Sequence, residues 1–201
     1  MTSETSSTNK NIVLEQEYKK LGLKVFLSPL ENNHIDYLIR LAQDPNLVDL
    51  MGINLAIQPG DIAGFIQTIS AYSFPYSRKS QPSIYGAYLN LGDLPIGYGV
   101  LKGFNQDLLT AEVGIAILDN NYRNGGYGRL ILNRLVAYAF QELGMQKIGA
   151  AILSSNIKSI NMCKKTGFIV QKNEPWTMPN GELVSMVLLE LQAEDFMVLS
   201  A

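Results

Sequence analysis

Apolar positions along this chain recur in short runs that switch between alternation and helical spacing, and the switches divide it into elements. From Leu23 to Leu27, apolar and β-branched residues predict a strand that Ser28-Pro29 ends. Ile35, Leu38, Ile39 and Ala42 then lie along one face of a helix that Pro45 closes. A second helix is predicted over DIAGFIQTISAYS, with Asp61 as its N-cap and Ile62, Phe65, Ile66 and Ile69 on one side. Phe74 to Pro82 reads as a loop. SIYGAYLNL, PIGYGVLKGF and TAEVGIAIL follow as strands divided by turns at Asn90 to Asp93 and Asn105 to Asp107, short connections that favour an antiparallel meander.

Helical spacing returns after Gly128 with Ile131, Leu135, Tyr138 and Ala139. The chain then predicts a strand KIGAAIL, a helix NIKSINMCKKTG, a strand FIVQ and, past the turn Pro179-Asn180-Gly181, a strand ELVSMVLLEL. This order implies a mixed α/β domain with helices covering a sheet. The start of the chain, rich in Ser, Thr and Asn, is expected to be a disordered or poorly packed leader over 1–17. Residues 18–192 are expected to form a single domain, with 193–201 as a C-terminal tail.

Composition narrows the function. With 47% of its 201 residues apolar the chain can bury a substantial core. A net charge of -2 and a pI near 5.4 provide no broad basic field for nucleic acid. No apolar run reaches membrane-spanning length and the N-terminus lacks a signal-peptide core, so the expectation is a cytoplasmic protein. One cysteine and one histidine argue against a disulfide framework, a multi-cysteine or histidine-rich metal centre and a Ser-His-Asp triad.

The chemistry concentrates at Arg123-Asn124-Gly125-Gly126-Tyr127-Gly128-Arg129, between a strand ending near Leu118 and a helix. Glycines there permit positive φ and close approach by another group. First-turn N–H groups and the helix dipole suit an anionic phosphate, and Arg123 and Arg129 flank the turn. The alternative reading is a tight, packed loop. A Walker loop is ruled out because Arg129-Leu130 follows Gly128, and a dinucleotide fingerprint because Ile131 stands where a third small residue belongs.

Arg123-x-x-Gly126-x-Gly128 after a strand resembles the acetyl-CoA pyrophosphate loop of the GNAT N-acetyltransferase superfamily. NIKSINMCKKTGF is similar to that family's second signature, with Asn156, Ser159, Met162 and Gly167-Phe168 in the matching places. The resemblance covers about residues 23 to 191 and leans toward the branch of ribosomal-protein, spermidine and amino-sugar acetyltransferases. It implies a mixed, mostly antiparallel, splayed sheet of about seven strands flanked by about four helices. It also implies acetyl-CoA as acyl donor without a metal, and a pantetheine arm between the strands Glu112 to Leu118 and Ile148 to Leu153. Backbone groups of Gly114, Ile115 and Ile117 would bond the pantetheine, and those of Asn124, Gly125, Gly126, Tyr127, Gly128 and Arg129 the pyrophosphate. Asn156 and Ser159 would contact the cofactor, although Asn156 equally suits an N-cap. It implies a small-molecule amine or a protein N-terminus as acceptor, and a homodimer, since relatives frequently pair through their C-terminal strands.

Acetylating an amine poses two proton problems. An alkylammonium near pKa 10.4 must be deprotonated, at roughly 4.6 kcal/mol at pH 7, whereas a leaving thiolate near 8.5 needs roughly 2 kcal/mol of help. The resemblance makes Glu112 the candidate base, directly or through water, against the alternative of a solvated strand-end carboxylate. Alternation puts Glu112 on one face with Gly114 and Ala116, and a β-bulge, frequent in this strand of the family, would upset that alternation beyond it. Cys163 stands where many relatives carry a tyrosine acid, and reads as a proton donor, an acyl carrier or a small apolar helix residue. His34 reads as a surface residue, and Tyr72, Tyr76, Tyr85 and Trp176 as acceptor-pocket or packing groups. Asp44 to Ile53 and Phe74 to Pro82 occupy places where relatives bind acceptors. The competing readings are a noncatalytic acyl-CoA-binding regulatory module and a phosphate-binding structural domain.

Overall fold

The computed structural model describes residues 24–51, 57–89, 93–177 and 181–200. The leader 1–17, Leu23, the turn residues 90–92 and the turn residues Pro179-Asn180 lie outside them. In chain order the elements are β1 (Val25–Pro29), α1 (Asn32–Leu41), α2 (Asn46–Met51), α3 (Ile62–Ser70), β2 (Ser83–Leu89), β3 (Gly97–Asn105) and β4 (Thr110–Ile117). After a 3-10 turn, Asn120–Tyr122, come α4 (Tyr127–Gln141), β5 (Lys147–Leu153), α5 (Ile157–Lys165), β6 (Ile169–Thr177), β7 (Leu183–Gln192) and α6 (Ala193–Ser200).

The strands form one sheet in the order β1-β2-β3-β4-β5-β7-β6. All neighbours are antiparallel except β4 and β5, which run parallel because α4 carries the chain back between them. The mixed, mostly antiparallel seven-stranded sheet is therefore as expected. Alternation along its strands sends side chains to two cores. Ala111 and Val113 of β4 pack with Leu130, Ile131, Leu135 and Ala139 of α4, while Tyr98, Val100 and Ala116 pack with Leu38 and Ile39 of α1 and Phe65 and Ile69 of α3. Each fully buried Leu or Ile contributes about 1.5–3 kcal/mol, so cutting Leu135 back to Ala would cost about 2–5 kcal/mol and loosen α4 from the sheet.

Several elements differ from the sequence reading. The six-residue α2 is too short for its periodicity to register. β6 runs on past Gln171 to Thr177 and includes Pro175, which an edge strand tolerates. The segment read as a C-terminal tail is helical in 193–200, and its Phe196 is buried against Phe140 with ring centroids 5.7 Å apart. The register irregularity falls in β3: Lys102 pairs with Glu112 and Asn105 with Thr110, which leaves Gly103 and Phe104 opposite Ala111 alone. The alternation of β4 through Glu112, Gly114 and Ala116 thus runs without a break.

Candidate active site

The parallel ladder between β4 and β5 spans three pairs, Thr110–Lys147, Ala111–Ile148 and Glu112–Gly149, and the two strands part beyond it. A cavity of about 140 Å³ fills the fork, lined by Lys102, Gly114, Ile115, Ala150, Met162 and Cys163 among others. Beside it lies an open groove of about 730 Å³ between the glycine turn and α5. Ile115, Asn156, Ser159 and Met162 line both, so the cavity and the groove adjoin along one channel wall. Ile117, Arg123, Asn124, Gly126, Gly128 and Arg129 line its outer part. The tertiary structure thus brings most of the predicted cofactor-binding residues to these two spaces, while Gly125, Tyr127 and Glu112 line neither.

The glycine turn is shaped by local chemistry. Asp119 accepts from the Asn121 N–H at 2.9 Å and starts the 3-10 turn; Asn124 and Gly126 then adopt left-handed φ of 64° and 85° to swing the chain into α4. Gly126 is the N-cap and offers no side chain, so the first-turn N–H groups of α4 have no side-chain cap. A Cβ on Gly126 would meet nothing within 4 Å, because that face is open groove. Gly128 serves another purpose: a Cβ there would lie 3.3 Å from Met162 Sδ, so glycine brings α4 close to α5. This arrangement, an uncapped helix start facing open space, fits a pyrophosphate.

Cations at the groove include two that sequence reasoning missed. Lys158 and Lys165 line it from α5, and Lys158 Nζ donates to Asn124 Oδ1 at 2.9 Å. Their spacing of seven along a helix that follows Asn156 was the available signal. Arg123, by contrast, turns its guanidinium inward. Nε donates to the Ile117 carbonyl at 3.0 Å, Nη2 to the Leu118 carbonyl at 2.8 Å and Nη1 to Asp44 Oδ2 at 2.7 Å. That guanidinium holds the Asp44 carboxyl below the usual carboxylate range. Arg123 braces the turn from behind.

Asn156 is the N-cap of α5, accepting the Ser159 N–H at 3.1 Å, and its Nδ2 donates to the Leu50 carbonyl of α2. Both ends of its amide are therefore engaged within the protein while the side chain borders the channel. Cys163 is 3% exposed, and burial pushes its thiol up to about 12. Handing a proton from such a thiol to a thiolate near 8.5 is uphill by roughly 5 kcal/mol, so its surroundings fit an apolar helix residue.

Glu112 is 1% exposed and does not line the channel. It accepts from the Ser73 and Phe74 N–H groups at 3.0 and 2.9 Å and from the Ser77 hydroxyl. Its cross-strand partner Lys102 does border the inner cavity and donates to the Ala71 carbonyl. Burial pulls the Lys102 ammonium below the usual lysine range, and the Glu112 carboxylate offsets part of that shift. Sequence reasoning missed Lys102 because its place depends on the register of β3 against β4.

The remaining candidates lie elsewhere. His34 Nδ1 is 2.8 Å from the Tyr88 hydroxyl. Tyr85 is buried edge-on to Tyr138, Tyr76 packs on Phe74, and neither these, Tyr72 nor Trp176 borders the channel. Among the described residues no group of three His, Cys, Asp or Glu side chains is placed to hold a metal, and no helix is long and apolar enough to cross a membrane.

Residues 24–169 match the family model for the acetyltransferase (GNAT) domain. A 58-residue stretch is 34% identical to the uncharacterized N-acetyltransferase YoaA of Bacillus subtilis (strain 168), covering 29% of this chain and about a third, 32%, of that relative's length. The spermidine N-acetyltransferase of Vibrio cholerae, solved with CoA and spermine, superposes with a TM-score of 0.68 at 17% identity, over 86% of this chain and 98% of that one. A dodecameric structure of that enzyme in an intermediate state gives 0.65 at 17% identity, over 88% and 98%. At these identities the likeness to the solved structures is one of fold.

Proposed function

Because the chain belongs to the GNAT family of N-acetyltransferases, we propose that it transfers the acetyl group of acetyl-CoA to a primary amine by direct attack in a ternary complex. The observation that carries this reading is the fork between β4 and β5, whose cavity adjoins the groove at the uncapped start of α4. An acyl-bearing thiol arm needs a narrow slot ending in a phosphate cradle, and a small cavity between the parted strands beside a groove at the glycine turn supports this reading. The backbone edge of β4 beyond Glu112 is suited to bond the arm's amides, since its ladder to β5 has already ended; adjacent residues send their groups to opposite edges, so either Gly114 or the pair Ile115 and Ile117 serves it. Backbone groups of Asn124 to Arg129, with Lys158, are suited to the pyrophosphate, and Asn156 and Ser159 flank the passage between the two.

Bound acetyl-CoA supplies the activated thioester. The protein's part is to hold the arm, exclude water with Ile115, Ala150 and Met162, and present an amine at the Lys102 end of the cavity. A primary ammonium would first give one proton to water; its freed nitrogen would then bond to the acetyl carbon as the carbon–sulfur bond breaks, and the proton the nitrogen sheds next would go to the departing thiolate, giving the amide and CoA thiol. Among acceptors, the spermidine acetyltransferases of like fold support a polyamine first, with amino sugars and protein N-termini behind it. The dodecameric relative supports self-association, which light scattering would measure.

The test is release of CoA thiol from acetyl-CoA against a panel of polyamines, amino sugars and N-terminal peptides. Acceptor-dependent release supports the transferase. A second reading, a noncatalytic acyl-CoA-binding module, is favoured by the absence of a tyrosine at Cys163 and by the engaged carboxylate of Glu112. It predicts CoA binding by calorimetry with no release for any amine.

A further inference from the structure

The loop between α3 and β2 has no regular structure, yet its polar groups are fastened to β3 and β4 one after another. Lys102 donates to the Ala71 carbonyl, Asn105 Nδ2 to the Tyr76 carbonyl at 2.7 Å, and the Phe104 N–H to Ser80 Oγ at 3.0 Å. The Arg78 N–H reaches the Gly103 carbonyl at 3.3 Å. At the centre is Glu112. Its Oε1 takes the Phe74 N–H at 2.9 Å, the Ser73 N–H at 3.1 Å and the Ser77 hydroxyl, while Oε2 shares the Ser73 N–H at 3.0 Å.

The bulge in β3 serves the same contact. Gly103 has φ +61°, and a Cβ there would lie 2.8 Å from Ser77 Oγ, so the glycine makes room for the serine to reach the carboxylate. Ile69 and Lys102, which the loop follows and grips, both border the inner cavity. The shape of the loop therefore sets the wall at the end where an amine would arrive. A base for that amine must reach it, whereas Glu112 is buried, lies outside the lining of both the cavity and the groove, and spends its carboxylate on three donors of the loop.

We propose that Glu112 is a positioning residue: its carboxylate is the clasp that holds the loop 71–77 against the sheet and so shapes the acceptor end of the cavity. This rests on the transferase reading above, with the amine's proton leaving to water. Ser77 is the second half of the clasp.

The test compares Glu112→Gln with Ser77→Ala in the full chain, each first checked for a cooperative thermal melt. Gln keeps an acceptor oxygen but turns an NH2 group toward the N–H donors, and Ala removes the hydroxyl alone. Both variants should raise the KM of the amine about tenfold with kcat within about threefold, and keep the rising limb of the pH profile of kcat/KM. Both should also speed hydrogen exchange at the Ser73 and Phe74 amides about tenfold. A base instead predicts that Glu112→Gln lowers kcat by about a hundredfold or more and flattens that limb while Ser77→Ala behaves as wild type, and this result would overturn the clasp. Unchanged exchange at Ser73 and Phe74 in both variants would overturn it as well. If the wild type acetylates no amine, the transferase reading fails, and the exchange measurement still decides whether the clasp exists. Should Glu112→Gln fail to fold, exchange and kinetics of Ser77→Ala carry the same decision.

Discussion

Arg123 and Asp44, 79 residues apart in sequence, meet at 2.7 Å and tie the approach to the glycine turn to the corner between α1 and α2. The same guanidinium holds two backbone carbonyls at the end of β4, so it fixes the turn from three directions. Arg123→Ala should leave the Ile117 and Leu118 carbonyls without this donor, costing about 2 kcal/mol and lowering the melting temperature by about 5 °C. Arg123→Lys should not restore it, since an ammonium cannot match the planar fork. Thermal melts and calorimetric titration with CoA would check this, with affinity reduced about tenfold in both.

The pair also carries a pH signature. Asp44 has a depressed folded pKa, so its contribution to stability is present above the unfolded value near 4 and is lost as pH falls through the folded one. Asp44→Asn should therefore lose less stability than the wild type between pH 5 and pH 3, read from denaturant melts at low salt. Raising the salt should narrow the difference, because the pair is near the surface.

At Gly126 the two demands on the turn separate. Gly126→Ala keeps the helix and meets no neighbour, so its cost to the free protein is the left-handed φ of 85°, about 1 kcal/mol. The added methyl points into the open groove, where the proposed pyrophosphate lies. CoA affinity should fall more than tenfold while the melting temperature shifts by only a few degrees.

Cys163 should be silent in thiol assays. With its thiol pushed up to about 12 by burial, it should resist an aromatic disulfide reagent at pH 8 in the native protein and react fully in denaturant. The raised folded value also sets a sign for stability: the unfolded thiol ionises above about 8.5 while the folded one stays neutral, so stability falls as pH rises. Between pH 8.5 and 10 the slope from this group approaches about 1.4 kcal/mol per pH unit, and Cys163→Ala should remove it.

Asn156 allows its cap to be distinguished from its bridge. Asn156→Ala should cost about 1 kcal/mol through the lost N-cap of α5. Asn156→Asp retains the acceptor for the Ser159 N–H but faces the Leu50 carbonyl with a carboxylate instead of a donor. It should melt closer to the wild type than Ala does, yet bind CoA more weakly, because its added negative charge borders the phosphate groove.

What the amino-acid sequence determined by itself was whatever depends on neighbours a few residues away. The alternation of SIYGAYL and TAEVGIAI, the helical stripe after Gly128 and the caps Asp61 and Asn156 are local properties, and each element formed where its pattern lies. The glycine turn was legible for the same reason, since positive φ and an uncapped helix start are written within seven residues. Tertiary structure decided the rest. Whether Arg123 faced a ligand or Asp44, whether Glu112 faced a substrate or the Ser73-Phe74 backbone, and whether Lys102 bordered the cavity all depended on which distant segments came together. A polar side chain goes to the partner that satisfies it at least cost, and that partner is chosen by strand register and loop path across the whole domain.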